Sequence, residues 1–288
     1  MTISTRFRRA AKELFGRRRG PRRDNLRPRS FEEQLYAALA RRGDVCFDIG
    51  ANQGDVSLYL AQLVGESGIV VAFEPAWPMY SRLCRHVQYD TSLKAPVITV
   101  PAGLADTEKD AMLSVPNGEF GMGSMADPSA WGRAHRGAAI ESYRARFTTV
   151  DSFLCATGLQ PPAFMKIDVE GAELFVLRGA AGLFSDGHRP LMLIEIFAPW
   201  EKAFGYRPWD PFSWLLELGY RFLFACPNGL VDYLPTEAEP FPPEYEMGYN
   251  VLAYSPAAHA ERVDGAKQLR AGALTKLMPM APPPRPNH

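Results

Sequence analysis

The stretch V-C-F-D-I-G-A-N-Q-G-D-V-S-L, residues 45–58, constrains the fold more than any other part of this sequence. An apolar strand runs into Asp48, the chain turns through Gly50 and Gly54, and helix-forming sequence begins at 55–57. A strand that stops at a glycine turn and continues as a helix is the first step of a βαβ unit. Its glycines let a bound cofactor approach the backbone closely. The second step follows at once. Apolar residues 69–73 end in Glu74, an acid standing where a ribose diol would be hydrogen-bonded.

The alternation continues along the chain. Short apolar runs at 45–49, 69–73, 97–100, 164–167, 191–196, 221–225 and 250–254 are rich in Val, Ile and Phe, as strands covered on both faces are. Helical patterns at 31–41, 57–63, 79–88, 172–177 and 211–218 fall between them. Repeated β–α–β order predicts an α/β fold whose sheet is mainly parallel, with helices on both faces and right-handed crossovers. Residues 110–149 break the rhythm after the third strand, with possible extra strands at 111–115 and 146–150. An insertion of this length in a compact domain is expected to be a lid or binding loop. The predicted organisation is a basic arm at 1–30, one domain at 31–258 carrying that insertion, and a tail at 259–288 with a Pro-rich, unpacked end.

Charge is unevenly placed. Residues 1–30 hold ten Arg and Lys12 against Glu13 and Asp24, a surplus of +9 in a chain of zero net charge, so the body is acidic. The arm reads as solvated and mobile, with weak contact to an anionic membrane surface as the alternative. An acidic body is a poor nucleic-acid surface, and none is expected as a partner. A hydrophobic content of 47% is enough for a sizeable core and excludes wholesale disorder. Cys46, Cys84, Cys155 and Cys226 stand apart, without the spacing of a zinc site or a disulfide framework. With no apolar segment after the N-terminal charges and no long apolar run, a cytoplasmic location is expected.

The turn also discriminates between cofactors. A dinucleotide fingerprint would read G-x-G-x-x-G, whereas Gly50 and Gly54 are spaced G-x-x-x-G behind Asp48. A carboxylate beside a diphosphate is unfavourable. S-adenosylmethionine carries an ammonium and a sulfonium and no phosphate, so acids there are an advantage. A second cluster, Lys166, Asp168, Glu170 and Glu173, closes the fourth strand. Alternation through Ile167 puts Lys166 and Asp168 on one face, at the strand end that borders the ligand crevice in open α/β sheets. Glu195 closes the next strand and could converge with Asp168. Glu173 reads equally as a helix-start acid stabilised by the dipole. No spacing diagnostic of a metal site is present.

D-I-G-A-N-Q-G, V-A-F-E-P at 71–75, T-V-D-S-F at 149–153, M-K-I-D-V-E-G-A-E at 165–173, V-L-R-G-A at 176–180 and I-E-I at 194–196 follow one another in this order. The series resembles the FkbM-type methyltransferases over about residues 44–254. The resemblance implies a class I, Rossmann-like fold of seven strands and methylation of a hydroxyl on a sugar, glycan or natural product. By position, Asp48, Gly50, Ala51, Asn52, Gly54 and Ser57 would gather round the methionine end of the cofactor. Glu74 and Pro75 would meet its ribose, and residues 102–106, Gly103 and Asp106 among them, its adenine. Asp168 is the leading candidate for base or cofactor anchor, Glu195 the second, with Lys166 and Glu170 beside them. His135, Ser124 and Trp131 in the insertion are weaker acceptor-side candidates, and Gly118, Gly121 and Gly123 could hinge it. Trp200, Phe204, Tyr206 and Trp209 read first as core packing. The rival from another class is a cofactor-binding protein without activity.

Overall fold

The computed structural model describes residue 28 and residues 30–116, 124–125, 140–196, 203–226, 229–243 and 249–269. Most of the basic arm, the Pro-rich end, Trp200 and the insertion residues Gly118, Gly121, Gly123, Trp131 and His135 lie outside the described residues. In chain order the strands are β1 (Val45–Ile49), β2 (Ile69–Phe73), β3 (Val97–Val100), β4 (Gly103–Leu104), β5 (Lys109–Pro116), β6 (Ile140–Thr148), β7 (Phe164–Ile167), β8 (Leu191–Ile196), β9 (Arg221–Cys226), β10 (Gly229–Asp232) and β11 (Tyr249–Tyr254). The helices are α1 (Phe31–Leu39), α2 (Asp55–Val64), α3 (Trp77–Tyr89), α4 (Val150–Thr157), α5 (Glu173–Arg178), α6 (Ala181–Ser185), α7 (Trp209–Glu217) and α8 (Pro256–Lys267).

One sheet carries the fold, in the order β10-β9-β11-β8-β7-β1-β2-β3. β3, β2, β1, β7 and β8 pair in parallel, while β11 runs antiparallel to both β8 and β9. Every residue of β1, β2 and β7 is buried, which is why these runs are apolar without alternating. The period-2 pleat sorts them. Cys46, Phe164, Leu193 and Leu252 face α1, α2 and α8. Phe47, Met165, Ile194 and Phe224 face α4, α5, α6 and α7. The seven expected strands are therefore present, and β10 adds an eighth by pairing antiparallel with β9.

The expected insertion differs from an irregular loop. β4, β5 and β6 form a separate three-stranded sheet in which β5 and β6 pair antiparallel from Lys109↔Phe147 to Pro116↔Ile140. Both strands are longer than their apolar centres predict. Val150 opens α4 instead of ending a strand, because Thr149 caps the helix by accepting from the Ser152 amide at 2.9 Å. Among the described residues no helix is long and apolar enough to cross a membrane.

The domain boundary at 258 is also displaced. α8 runs on to Lys267, burying His259, Val263 and Ala266 against the face that α1 covers. Arg262 donates to both carboxylate oxygens of Asp44, at 2.7 and 3.0 Å, and Asp44 also accepts from the Arg41 amide at 2.8 Å. Pairing at both oxygens fixes the helix relative to the entry of β1. Arg262→Ala should cost about 1.5–3 kcal/mol, as for a lost hydrogen bond to a charged group. Urea denaturation checks this; an unchanged midpoint would mean that α8 is not held by this pair.

Candidate active site

The C-terminal ends of β1, β2 and β7 converge. Gly50 leaves β1 at φ +84°, and a Cβ there would lie 1.8 Å from the Asp168 carbonyl oxygen, so only glycine lets the two strand ends approach this closely. The Gly50 and Ala51 amides both donate to the Phe73 carbonyl, at 3.0 and 2.9 Å, tying the turn to the end of β2. Asn52 sits at φ +50° and Gly54 at φ +98°, the latter beneath Leu83 of α3. Glu74 completes the turn. One of its oxygens accepts from the Asn52 amide and the other from the Ala76 amide, both at 2.7 Å. Burial pushes its carboxyl up to about 7 despite those two bonds.

These elements border a cleft of about 670 Å³, counting the space open to solvent. One wall is polar: Asn52, Glu74, Asp168 and Glu170. The facing wall is apolar and comes from the insertion sheet and its approach: Leu104, Leu113, Met125 and Phe147. Gly103 belongs to this wall because a Cβ there would meet the Phe147 ring at 2.3 Å. Among the described residues no Arg or Lys lines the cleft.

Behind the polar wall lies a buried cation. The Lys166 ammonium pairs with Asp168, and Asp168 also hydrogen-bonds Glu195. Burial would pull the Lys166 pKa down, but Asp168, Tyr36, Glu195 and Asp48 together hold it above its ordinary value. Burial pushes Asp168 up, yet Lys166 and the bond from Glu195 hold it below the usual carboxylate range. Glu195 goes the other way, raised by burial and then by the charge of Asp168. Asp168 is therefore the ionised member of the pair, and Glu195 the one that keeps its proton.

The predicted site residues thus fall into three groups. Gly50, Asn52, Glu74, Pro75, Gly103, Asp168 and Glu170 line the cleft. Asp48, Ala51, Gly54 and Ser57 lie beneath the turn and shape it. Asp48 is fully buried; Ser57 Oγ donates to its Oδ2 at 2.5 Å, and its Oδ1 is buried without a hydrogen-bond partner among the described residues. Lys166 and Glu195 stand behind Asp168, and Asp106 lies away from the cleft, where Lys109 Nζ reaches it at 3.3 Å. Of the apolar wall, residues 103 and 104 fall in the stretch expected near the adenine, whereas Leu113, Met125 and Phe147 went unpredicted. Leu113 and Phe147 read as ordinary strand hydrophobics, and nothing local marks them as facing a cleft.

Glu173 takes a structural role. Its carboxylate accepts from the Val169 and Gly171 amides, both at 3.2 Å, and burial raises it to about 7. Of the aromatics, Phe204 and Tyr206 pack on Phe175, with ring centroids 5.8 and 5.9 Å apart, and Trp209 packs against the core. Among the described residues no group of three or more His, Cys, Asp or Glu is placed to hold a metal ion.

The parallel sheet with its antiparallel β11, and the acid-bearing turn at its crevice, define the class I methyltransferase architecture. A model of the methyltransferase FkbM domain matches residues 48–222, and the chain belongs to this family of S-adenosylmethionine-dependent methyltransferases. None of the curated proteins matches the chain. Solved structures similar to it include methyltransferase FkbM from Methylobacillus flagellatus KT, at 14% identity and a TM-score of 0.44, covering 77% of this chain. This chain spans about half (50%) of that one. Another is precorrin-6y C5,15-methyltransferase from Geobacter metallireducens GS-15, at 10% identity and a TM-score of 0.43, covering 83% of this chain and 94% of that one. A third is fibrillarin from Aeropyrum pernix, at 11% identity and a TM-score of 0.40, covering 78% and 75%.

The turn geometry makes Gly50→Ala a sharp test. Positive φ and the close Asp168 carbonyl together should cost about 2–6 kcal/mol. Chemical denaturation should show that loss, and the folded remainder should bind S-adenosylmethionine at least ~10-fold more weakly. A variant as stable as wild type would show that the β1 and β7 ends are further apart than described.

Proposed function

We propose that this protein transfers the methyl group of S-adenosylmethionine to a hydroxyl of a sugar, glycan or natural-product acceptor. The observation that carries the reading is the cleft's polar wall: three carboxyl groups, Glu74, Asp168 and Glu170, with no Arg or Lys lining it among the described residues. Such a wall repels phosphate and suits a cofactor that is itself cationic.

The residues divide the work. Glu74 holds the ribose diol, and the turn from Gly50 to Asn52 brings backbone close to the methionine end. Leu104 and Phe147 offer an apolar surface for the adenine. Asp168, kept ionised by Lys166, faces the cofactor's positive charge. When bound, the cofactor supplies an electrophilic methyl group. The chain's residues align an acceptor oxygen with it, exclude water and remove the hydroxyl proton. Alignment can supply roughly 7–11 kcal/mol of the barrier. A general base gives about 10²–10⁴-fold, roughly 3–5.5 kcal/mol, so positioning is the larger share.

The raised pKa of Glu74 makes binding pH-dependent if the ionised form takes the ribose. A folded-state carboxyl at about 7 is neutral below that pH and charged above it. Cofactor affinity should therefore rise with pH through about 7, by no more than ~10-fold per pH unit, and level off above. Calorimetric titration with S-adenosylmethionine from acid to alkaline pH checks this, and Glu74→Gln should flatten the profile and weaken binding by about 10–100-fold. Wild-type affinity in that variant would remove Glu74 from the site. Screening hydroxylated acceptors with methyl-labelled cofactor tests the activity; label transfer only to amines or to nucleic acid would refute the hydroxyl acceptor.

A further inference from the structure

We propose that Glu170 is the general base for the acceptor hydroxyl, and that Glu173, Ser124 and Tyr206 are positioning residues that hold it at the cleft in a strained backbone conformation. This rests on the methyl-transfer reading above.

The backbone is the first observation. Glu170 stands at φ +52°, followed by Gly171 at φ +100°. The left-handed region suits glycine, but a Glu there is uncommon and persists only where surrounding contacts impose it. Those contacts come from three separate parts of the chain. From α5, Glu173 accepts from the amides on either side of Glu170, those of Val169 and Gly171. From the insertion, Ser124 Oγ donates to the Glu170 carbonyl at 2.9 Å, while the Ser124 backbone pairs with Ser114 of β5 in both directions, at 2.9 and 3.0 Å. From the segment before α7, the Tyr206 hydroxyl donates to the Gly171 carbonyl at 2.8 Å. The loop is over-determined, and the side chain it presents lines the cleft beside Asp168.

The second observation is what Asp168 is already doing. Its carboxylate is committed to Lys166 and to Glu195, and both hold it ionised, which makes it a weak proton acceptor. Glu170 has no comparable commitment; among the described residues its carboxyl takes no hydrogen bond that would lower its basicity. The charged groups facing it are Asp168, Glu173 and Lys166. Burial raises its carboxyl most, the two carboxylates raise it further, and only Lys166 opposes them. A base raised toward the working pH is better matched to proton transfer. In the step, the acceptor O–H proton passes to a Glu170 carboxylate oxygen as an oxygen lone pair bonds the methyl carbon. The electron pair of the breaking carbon–sulfur bond stays on sulfur, which becomes a neutral thioether. The proton then leaves Glu170 for solvent.

Two measurements need no acceptor. Carboxyl titration by NMR, with carbon-13-labelled Glu in the full chain, should show a group titrating well above the ordinary Glu range that disappears in Glu170→Gln. A Glu170 signal within that ordinary range overturns the proposal. Glu170→Gly should raise the melting temperature by a few degrees, because glycine adopts the positive φ freely; a lowered one overturns the claim of strain. With an acceptor from the labelled-cofactor screen, Glu170→Gln should lower kcat 10²–10⁴-fold and abolish the acidic limb of the pH–rate profile. Its S-adenosylmethionine affinity should fall far less than kcat, because Glu74 and Asp168 remain in the wall. Ser124→Ala should lower kcat less and move that limb, with little change in acceptor KM. Wild-type kcat and pH profile in Glu170→Gln, with cofactor binding intact, defeat the base assignment alone. Loss of cofactor binding in that variant also defeats it, by making Glu170 a cofactor ligand. Absence of cofactor binding by the wild-type chain defeats the underlying reading instead.

Discussion

Lys166 is a single ammonium buried where three strands end, and the charged side of the molecule is arranged around it. Parallel pairing puts Asp48 of β1 level with Lys166 of β7, and the same pleat turns Asp168 and Glu195 toward that face. Removing such a charge from water costs several kcal/mol after relaxation, so the ammonium is tolerable only while carboxylates face it. The dependence is mutual. Without the cation, Asp168 would lose the charge that chiefly holds it ionised at the cleft. α1 and β11 complete the enclosure: Tyr36 is buried beside Lys166, and Asn250 Nδ2 donates to Glu32 at 2.7 Å.

This enclosure is incompletely satisfied. Besides Asp48 Oδ1, the Tyr36 hydroxyl and Asn250 Oδ1 are buried without a hydrogen-bond partner among the described residues. Unpaired polar atoms of this kind cost about 1–3 kcal/mol each. Their gathering under one cleft, together with left-handed backbone at Asn52 and Glu170, is the pattern of a site that spends stability on function. The apolar core bears that cost. Sheet residues such as Phe47, Phe73, Phe164 and Ile194 are almost wholly excluded from water.

The sheet was legible because burial on both faces leaves a strong local mark. Continuous apolar runs ending in Asp48, Glu74 and Asp168 announce parallel strands and the crevice at their ends. Gly50 was legible for a related reason, since a glycine after a strand-end acid reports close backbone approach. What stayed hidden depends on distant pairing. Asp44 and Arg262 are far apart in the sequence, and neither announces that α8 will dock on the entry to β1. β10 exists because it adds to the edge strand β9, and its own four residues carry little strand character. The insertion supplies the apolar wall through Leu113 and Phe147, which alternate with polar neighbours as in any half-buried sheet. Asp48 was expected beside the cofactor, and its full burial stayed hidden because the Ser57 hydroxyl that covers it comes from the following helix.

In the proposed arrangement the sulfonium cofactor lies between the carboxylate wall and the insertion sheet, with its reacting end toward Asp168 and Glu170. A crystal structure with bound S-adenosylhomocysteine tests it most directly. The expected result is ribose hydroxyls on Glu74, adenine against Leu104 and Phe147, and the sulfur on the side of residues 168–170. A ligand bound outside this cleft, or seated in it with Glu74 away from the ribose, would contradict it.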